Sequence, residues 1–417
     1  MKKNFVVAGV IFAVIAGALW SIESLFKQKP DDIKSTSAQP EKPIVDLSTT
    51  STTLLLPHGS ADLILPERYS VSIAATGLGR ARFMAMSPDS RLFITDMHDL
   101  SDNSVGNIYI LSDLDLVKHV FNTKKVYLAN LRNPNSIAFY KDPAGKEWLY
   151  IALTDRLIRY PYSNSDDTPT QNPETLSTFP DYGLSYKYGG WHLTRTVAIH
   201  NDQVYIAIGS SCNSCEEKEE VRASIVVMDL DGKNQHQFAK GLRNAVGIKW
   251  VDDEFYATDM GADHLGTSTP NEMLYKLADG ADYGWPYCYV KDGKVLADST
   301  IIWKKTPTDC TQVPEPMAYF PAHAAPLGLE YFDQTFKDPM LKDNFLVGLH
   351  GSGVVNIGTG NSVVIVHKDG TVTDFMTGFL KDKTRLGRPV DILRYDDRSM
   401  FVSDDYNGVI YFVSYIE

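Results

Sequence analysis

Three observations predict an all-β fold, a six-bladed β-propeller with four-stranded antiparallel blades. Apolar residues alternate with a period of two, as in Val197 and Ile199 or Val204, Ile206 and Ile208, which is the period of a strand with one buried face. One pattern of strand, polar turn, second strand often ending in Asp or Gly, and third strand recurs six times. No comparably long stretch of the body shows helical periodicity. Repeats of about 40 to 60 residues, each a small antiparallel sheet, are the signature of a propeller. A length of 417 residues suggests two or three domains by itself; the repeats gather most of it into one ring.

The N-terminal segment comes first. Lys2 and Lys3 precede an apolar run from Phe5 to Trp20 that no charge interrupts before Glu23. This is the pattern of a signal peptide or an N-terminal signal anchor, assigned to residues 1–26. Ala16-Gly17-Ala18 offers a small-residue cleavage site, and the absence of cysteine before Cys212 argues against a lipoprotein anchor. The basic start keeps the N-terminus on the cytoplasmic side, so the remainder is expected in the periplasm or another extracytoplasmic space. From Lys27 the composition turns to Lys, Asp, Ser, Thr, Gln and Pro, and residues 27–65 are read as a flexible linker. The propeller then occupies residues 66–417.

Its six units begin near Phe83, Asn135, Thr194, Asn244, Pro326 and Pro389. Arg68–Ile73 precedes the first and is expected to complete the last blade, because an unpaired edge would expose backbone donors and acceptors. The four cysteines are an even set in a compartment that favours pairing. The local connectivity, Cys212 with Cys215 and Cys288 with Cys310, is preferred, and a redox-active dithiol at Cys212 and Cys215 is the alternative. A zinc site would need a second close pair, which Cys288 and Cys310 do not supply.

With 40 Lys+Arg against 52 Asp+Glu, the net charge is −12. Nucleic acid is excluded as the natural partner, since duplex binding needs clustered cations that release counterions. Membrane contact is expected only through the N-terminal segment. The starts of the innermost strands should converge on the central channel, and they carry His192, Arg243 with Asn244, His323 and Arg388. Several such groups around one channel point to a ligand site.

At these residues a resemblance becomes specific. GGWHLTRTVAIH, then GLRN, a DMG turn, PNE and YGWP in that order, then AHAAPLGLEYF and GRPVDILRYDD resemble the soluble quinoprotein sugar dehydrogenases, within them the sorbosone or aldose sugar dehydrogenase branch. The similarity runs from about Arg68 to Ile416. It implies pyrroloquinoline quinone and calcium as cofactors. It also implies oxidation of an aldose or sugar aldehyde by hydride transfer, with electrons passed to an external acceptor. His192 matches the general base, a task that suits imidazole. Arg243 matches the catalytic arginine facing the quinone oxygens, with Asn244 in the same contact set. Arg388 matches an arginine that meets a cofactor carboxylate, and His323 and His350 fall in the cofactor-binding neighbourhood. Gly261 and Ala262 resemble carbonyl ligands of the cofactor calcium, and Glu272 and Tyr283 a second calcium site.

Three departures accompany the likeness. Ser210 stands where the soluble glucose dehydrogenases carry an Asp that orients the base, and Leu349-His350-Gly351 occupies the place of a cofactor-pairing lysine. Gly353, Val354 and Val355 follow Ser352 where sorbosone-type sequences have Trp-Asn-Arg. The expectation is a less positive pocket and a base without its carboxylate. Two other functions fit a propeller of this kind: a non-catalytic module binding a sugar or an envelope protein, and a calcium-dependent lactonase, in which a metal would activate water.

Overall fold

The computed structural model describes residues 48–181, 192–301 and 309–416. The expected signal segment, residues 1–26, and the linker as far as residue 47 lie outside the described residues. Among the described residues no helix is long and apolar enough to cross a membrane.

Six four-stranded antiparallel sheets form the blades. Blade 1 spans residues 81–131, blade 2 136–178, blade 3 195–240, blade 4 248–320, blade 5 326–376 and blade 6 389–415. Their first strands, Ala81–Met86, Ser136–Lys141, Arg195–His200, Ile248–Val251, Pro326–Phe332 and Pro389–Arg394, adjoin one another in a closed circle and line the axis. The fourth strand of blade 6 is Tyr69–Ala75, paired antiparallel with Val409–Tyr415 so that Tyr69 faces Tyr415 and Val71 faces Val413. The predicted closing strand is therefore present, and the first and last strands of the ring share one sheet.

Blade faces bury against their neighbours. Phe93, Tyr127, Leu149 and Tyr160 fill the seam between blades 1 and 2, Tyr205, Phe238, Phe255 and Tyr275 that between blades 3 and 4. Each seam is built from the alternating residues that gave the two-residue period, so the pattern is explained by sheet-on-sheet burial. Phe83, Val246, Leu327 and Val390 form a small apolar cluster with Met260 packed against it.

One boundary differs from expectation. Thr49–Leu56 and Gly59–Pro66, which fall within the expected linker as far as residue 65, pair as a hairpin. Ala61, Leu63 and Leu65 are buried with Phe375, Met376 and Phe379 in the seam between blades 5 and 6, and Ile64 exchanges both backbone hydrogen bonds with Thr377. The alternation of Ala61, Leu63 and Leu65 provides a buried face that composition hid. Both expected disulfides, Cys212–Cys215 and Cys288–Cys310, are formed.

Candidate active site

The second strand of several blades ends in Asp because that Asp holds the start of the innermost strand. Asp96 accepts the backbone N–H groups of Gly79 at 2.8 Å and Arg80 at 2.6 Å. Asp259 does the same for Arg243 at 3.1 Å and Asn244 at 2.7 Å, and Asp404 accepts Arg388 N–H at 3.0 Å. One device thus fixes an arginine at the channel in blades 1, 4 and 6. Burial pushes the Asp259 carboxyl up to about 7 against the pull of its three N–H donors.

Hydrogen bonds then run around the channel through every blade. Asp405 accepts Arg82 Nη1 at 2.9 Å, and Arg82 Nε donates to Asn135 Oδ1 at 3.0 Å. Asn135 Nδ2 donates to the Arg195 carbonyl at 3.1 Å, and Arg195 Nη1 to the His192 carbonyl at 2.7 Å. His192 Nδ1 lies 2.9 Å from the Ser210 carbonyl, whose own N–H donates to the Arg243 carbonyl at 2.8 Å. Arg243 Nη2 meets Asp263 at 3.0 Å, and the other Asp263 oxygen meets His323 Nδ1 at 3.2 Å. Two residues beyond His323, the Ala325 carbonyl accepts His350 N–H at 2.9 Å, and His350 Nε2 returns to Asp405 at 2.7 Å.

In the arc of blades 3 and 4 the His192 ring is oriented without a carboxylate. The Ser210 hydroxyl donates to the Cys212 carbonyl at 2.7 Å, so its oxygen can only accept from His192 Nδ1, 3.0 Å away. The proton therefore sits on Nδ1 and the lone pair on Nε2, an assignment that follows from the surrounding bonds. Ser210 supplies through two oxygens the orientation that the missing Asp was expected to give. Gly209 makes room for it, since a Cβ there would sit 2.5 Å from His192 Cβ and against Asn244 Oδ1. His192 is surrounded by protein yet partly open to solvent, as a group lining a narrow channel is. Burial, then the charges of Arg243, Arg195 and Arg222, hold its imidazole well below the usual range, so it is neutral and able to take a proton.

In the arc of blades 6 and 1 the groups are cations. Arg80 and Arg82 both reach Asp405 Oδ2 at 2.9 Å. Arg388 donates from Nε to the His350 carbonyl at 3.0 Å and from Nη2 to the Gly351 carbonyl at 2.6 Å. Burial lowers Arg388 to about 9, which leaves it charged at neutral pH. Burial and the neighbouring Arg388 lower His350 to about 3, so His350 is neutral and donates to Asp405. Burial would raise Asp405, but the His350 hydrogen bond and the Arg82 and Arg80 charges outweigh it and keep it ionised. Two guanidinium groups thus meet one carboxylate, with Arg388 held nearby by backbone carbonyls. Arg80 and Arg82 were not singled out in the sequence.

The sequence-named residues divide. His192, Arg243, Asn244, His323, His350 and Arg388 are brought together by the ring. Asn244 Oδ1 is buried with no protein partner among the described residues, a cost of roughly 1–3 kcal/mol that a ligand donor would relieve. Gly261, Ala262 and Tyr283 line one cavity of about 20 Å³ beside Arg243, and Gly261 has no Cβ where Pro270 closes in. The Glu272 carboxylate accepts the Ala325 N–H, and burial raises it to about 8. Among the described residues the one group of three side chains with metal-ligand spacing is Cys212, Cys215 and Glu217, whose sulfurs are joined in a disulfide.

Residues 63–415 match the model of a family described as TrAA12-like. The chain is 26% identical to an uncharacterised protein of Borreliella burgdorferi over 76% of this chain and 85% of that one. The fold is similar to the holo form of the PQQ domain of pyranose dehydrogenase from Coprinopsis cinerea, with TM-score 0.68 and 20% identity over 85% of this chain and 97% of that one. It is similar to a calcium structure of Trichoderma reesei carbohydrate-active enzymes family AA12, with TM-score 0.69 and 18% identity over 88% and 99%. A third likeness is to the PQQ-bound aldose sugar dehydrogenase of Streptomyces coelicolor, with TM-score 0.55 and 16% identity over 84% and 99%. With most of its length inside one family model, this chain belongs to the TrAA12-like family, in keeping with the likeness to quinoprotein sugar dehydrogenases and with no sorbosone branch singled out.

Proposed function

We propose that the propeller is a sugar dehydrogenase that oxidises an aldose or sugar aldehyde with pyrroloquinoline quinone and calcium and passes the electrons to an external acceptor. The observation that carries this reading is the pairing, on one ring, of a neutral tautomer-fixed imidazole at His192 with the guanidinium cluster of Arg80, Arg82 and Arg388. The second half suits a small polyanion, because a planar guanidinium pairs with a carboxylate in two-point fashion. The titles of the solved relatives, a PQQ domain and a PQQ-bound dehydrogenase, support the same choice. Arg388, Arg80 and Arg82 would hold the quinone's carboxylates and Asn244 Oδ1 a donor on it. The carbonyls of Gly261 and Ala262 are our assignment for calcium, a hard-oxygen set.

When bound, the quinone supplies the hydride-accepting centre. His192 Nε2 takes the hydroxyl proton of the sugar, and Ser210 keeps the ring turned for it. Arg243 contributes a fixed positive charge where negative charge develops. Asp263 and Asn213 hold Arg243 so that no reorientation is needed at the moment of reaction. The ring carboxylates Asp405 and Asp263 are already engaged with cations, which favours this reading over a lactonase with carboxylates free for a metal. The same reading puts the propeller in the periplasm or another extracytoplasmic space. The test is reconstitution of residues 48–417 with quinone and calcium, followed by dye reduction across an aldose panel. Turnover of at least one sugar is the expected result; quinone binding with no turnover would favour a binding module.

A further inference from the structure

Cys212 and Cys215 close a four-residue ring by their disulfide, and that ring touches both reactive groups. Arg243 Nε donates to the Asn213 carbonyl at 3.0 Å, and Nη2 donates to Asn213 Oδ1 at 2.8 Å. The same Oδ1 accepts the N–H of Asp263, the ion-pair partner of Arg243, at 2.8 Å. Trp285 Nε1 donates to the Asn213 carbonyl at 3.2 Å. On the other flank the Cys212 carbonyl takes the Ser210 hydroxyl proton, the commitment that sets the His192 tautomer.

We propose that Asn213 is a positioning residue for Arg243 and that the Cys212–Cys215 bond holds Asn213 in place, so that the geometry of the reactive arc depends on the oxidised state of this pair. This rests on the roles assigned above to Arg243 and His192. The physical reason is conformational. The ring lies between the strands Gln203–Ile208 and Ser224–Asp229, on a loop with no strand ladder of its own to fix it. Ordering a free residue costs backbone entropy, and that cost opposes the hydrogen bonds that Asn213 makes. A covalent closure removes that freedom beforehand. Glu217, which accepts the Ser211 N–H at 2.6 Å and hydroxyl at 2.7 Å, anchors the other side of the loop, so opening the ring loosens Asn213 without unfolding blade 3.

Both cysteines are partly exposed, within reach of a small dithiol. Dithiothreitol would give up two electrons and two protons, the Cys212–Cys215 bond would become two thiols, and the reagent would close to its own disulfide. Because Cys288–Cys310 can react as well, the clean test is the Cys212→Ser/Cys215→Ser double variant of the full chain beside Asn213→Ala and Asn213→Asp. Solvent exchange of the Arg243 Nε–H, followed by NMR, reads the positioning with no cofactor present. The expected result is exchange at least tenfold faster in the double variant and in Asn213→Ala, while Asn213→Asp, which keeps an acceptor at Oδ1, stays within threefold of the parent. In the quinone-loaded enzyme the first two should lose at least tenfold in kcat with KM within threefold, and Asn213→Asp should recover most of it. Unchanged Arg243 exchange in both the double variant and Asn213→Ala would overturn the proposal. If the double variant misfolds, Asn213→Ala decides alone, because it leaves the disulfide intact. Faster exchange beside a parent that turns over no sugar would uphold the positioning and sink the dehydrogenase reading.

Discussion

The two arcs of the channel solve opposite problems. Blades 3 and 4 surround a neutral imidazole with arginines and hold it by carbonyl and hydroxyl oxygens, so His192 stays free of charge. Blades 6 and 1 bring two guanidinium groups onto one ionised carboxylate, with Arg388 close by on backbone carbonyls. The lesson is that one ring of strand starts can keep a titratable group neutral on one side and a cluster of charges intact on the other. The same Asp device at Asp96, Asp259 and Asp404 sets the backbone in both.

The sharpest way to break the comparison is to disable each arc in turn. His192→Ala should lower kcat by about 10³-fold, within the range for a positioned base, and leave quinone binding, measured by isothermal titration calorimetry, within threefold. Comparable loss of quinone affinity would mean the arcs are not separate. Asp405→Asn strips the counter-charge from Arg80 and Arg82 and should cost about 3–5 kcal/mol of stability in denaturant unfolding, the effect of breaking a buried ion pair. Arg388→Ala should weaken quinone binding by about 10–100-fold, the worth of charged hydrogen bonds, with kcat at saturating quinone little changed.

The smallest effect separates the arcs by pH. His192 and His350 both titrate below their unfolded value near 6.5. Below about pH 6.5 the unfolded chain binds protons that the folded chain refuses, so stability falls as pH falls from 6.5 toward about 3. Turnover, in contrast, should stay level as pH is lowered through 6.5, because the His192 lone pair is still available. A loss of turnover centred on 6.5, in a pH–rate profile, would mean His192 is not held as described.

Much of the fold was legible because blade seams are made by local alternation, which a single strand such as Val204–Ile208 already displays. The closing strand was legible because an open edge must find a partner. Thr49–Pro66 was misread because Ser and Thr at its outward positions imitate a linker, while Ala61, Leu63 and Leu65 on the other face reveal the strand. At the site, His192, Arg243 and Arg388 stood out through strings of neighbouring residues. Arg80 and Arg82 did not, although they stand at the start of the innermost strand of blade 1 as Arg388 does at that of blade 6; the repeat itself was the signal. Asp405 and Asn213 carried no such string, because their partners, Arg82 and His350 for the one and Arg243 for the other, lie far away in sequence and only the fold brings them together.

The apolar cluster of Phe83, Val246, Leu327 and Val390 has a mechanical corollary. Its four side chains come from the innermost strands of blades 1, 5 and 6 and from the approach to that of blade 4, so trimming one of them loosens four blades at once. Leu327→Ala should cost about 2–5 kcal/mol in denaturant unfolding.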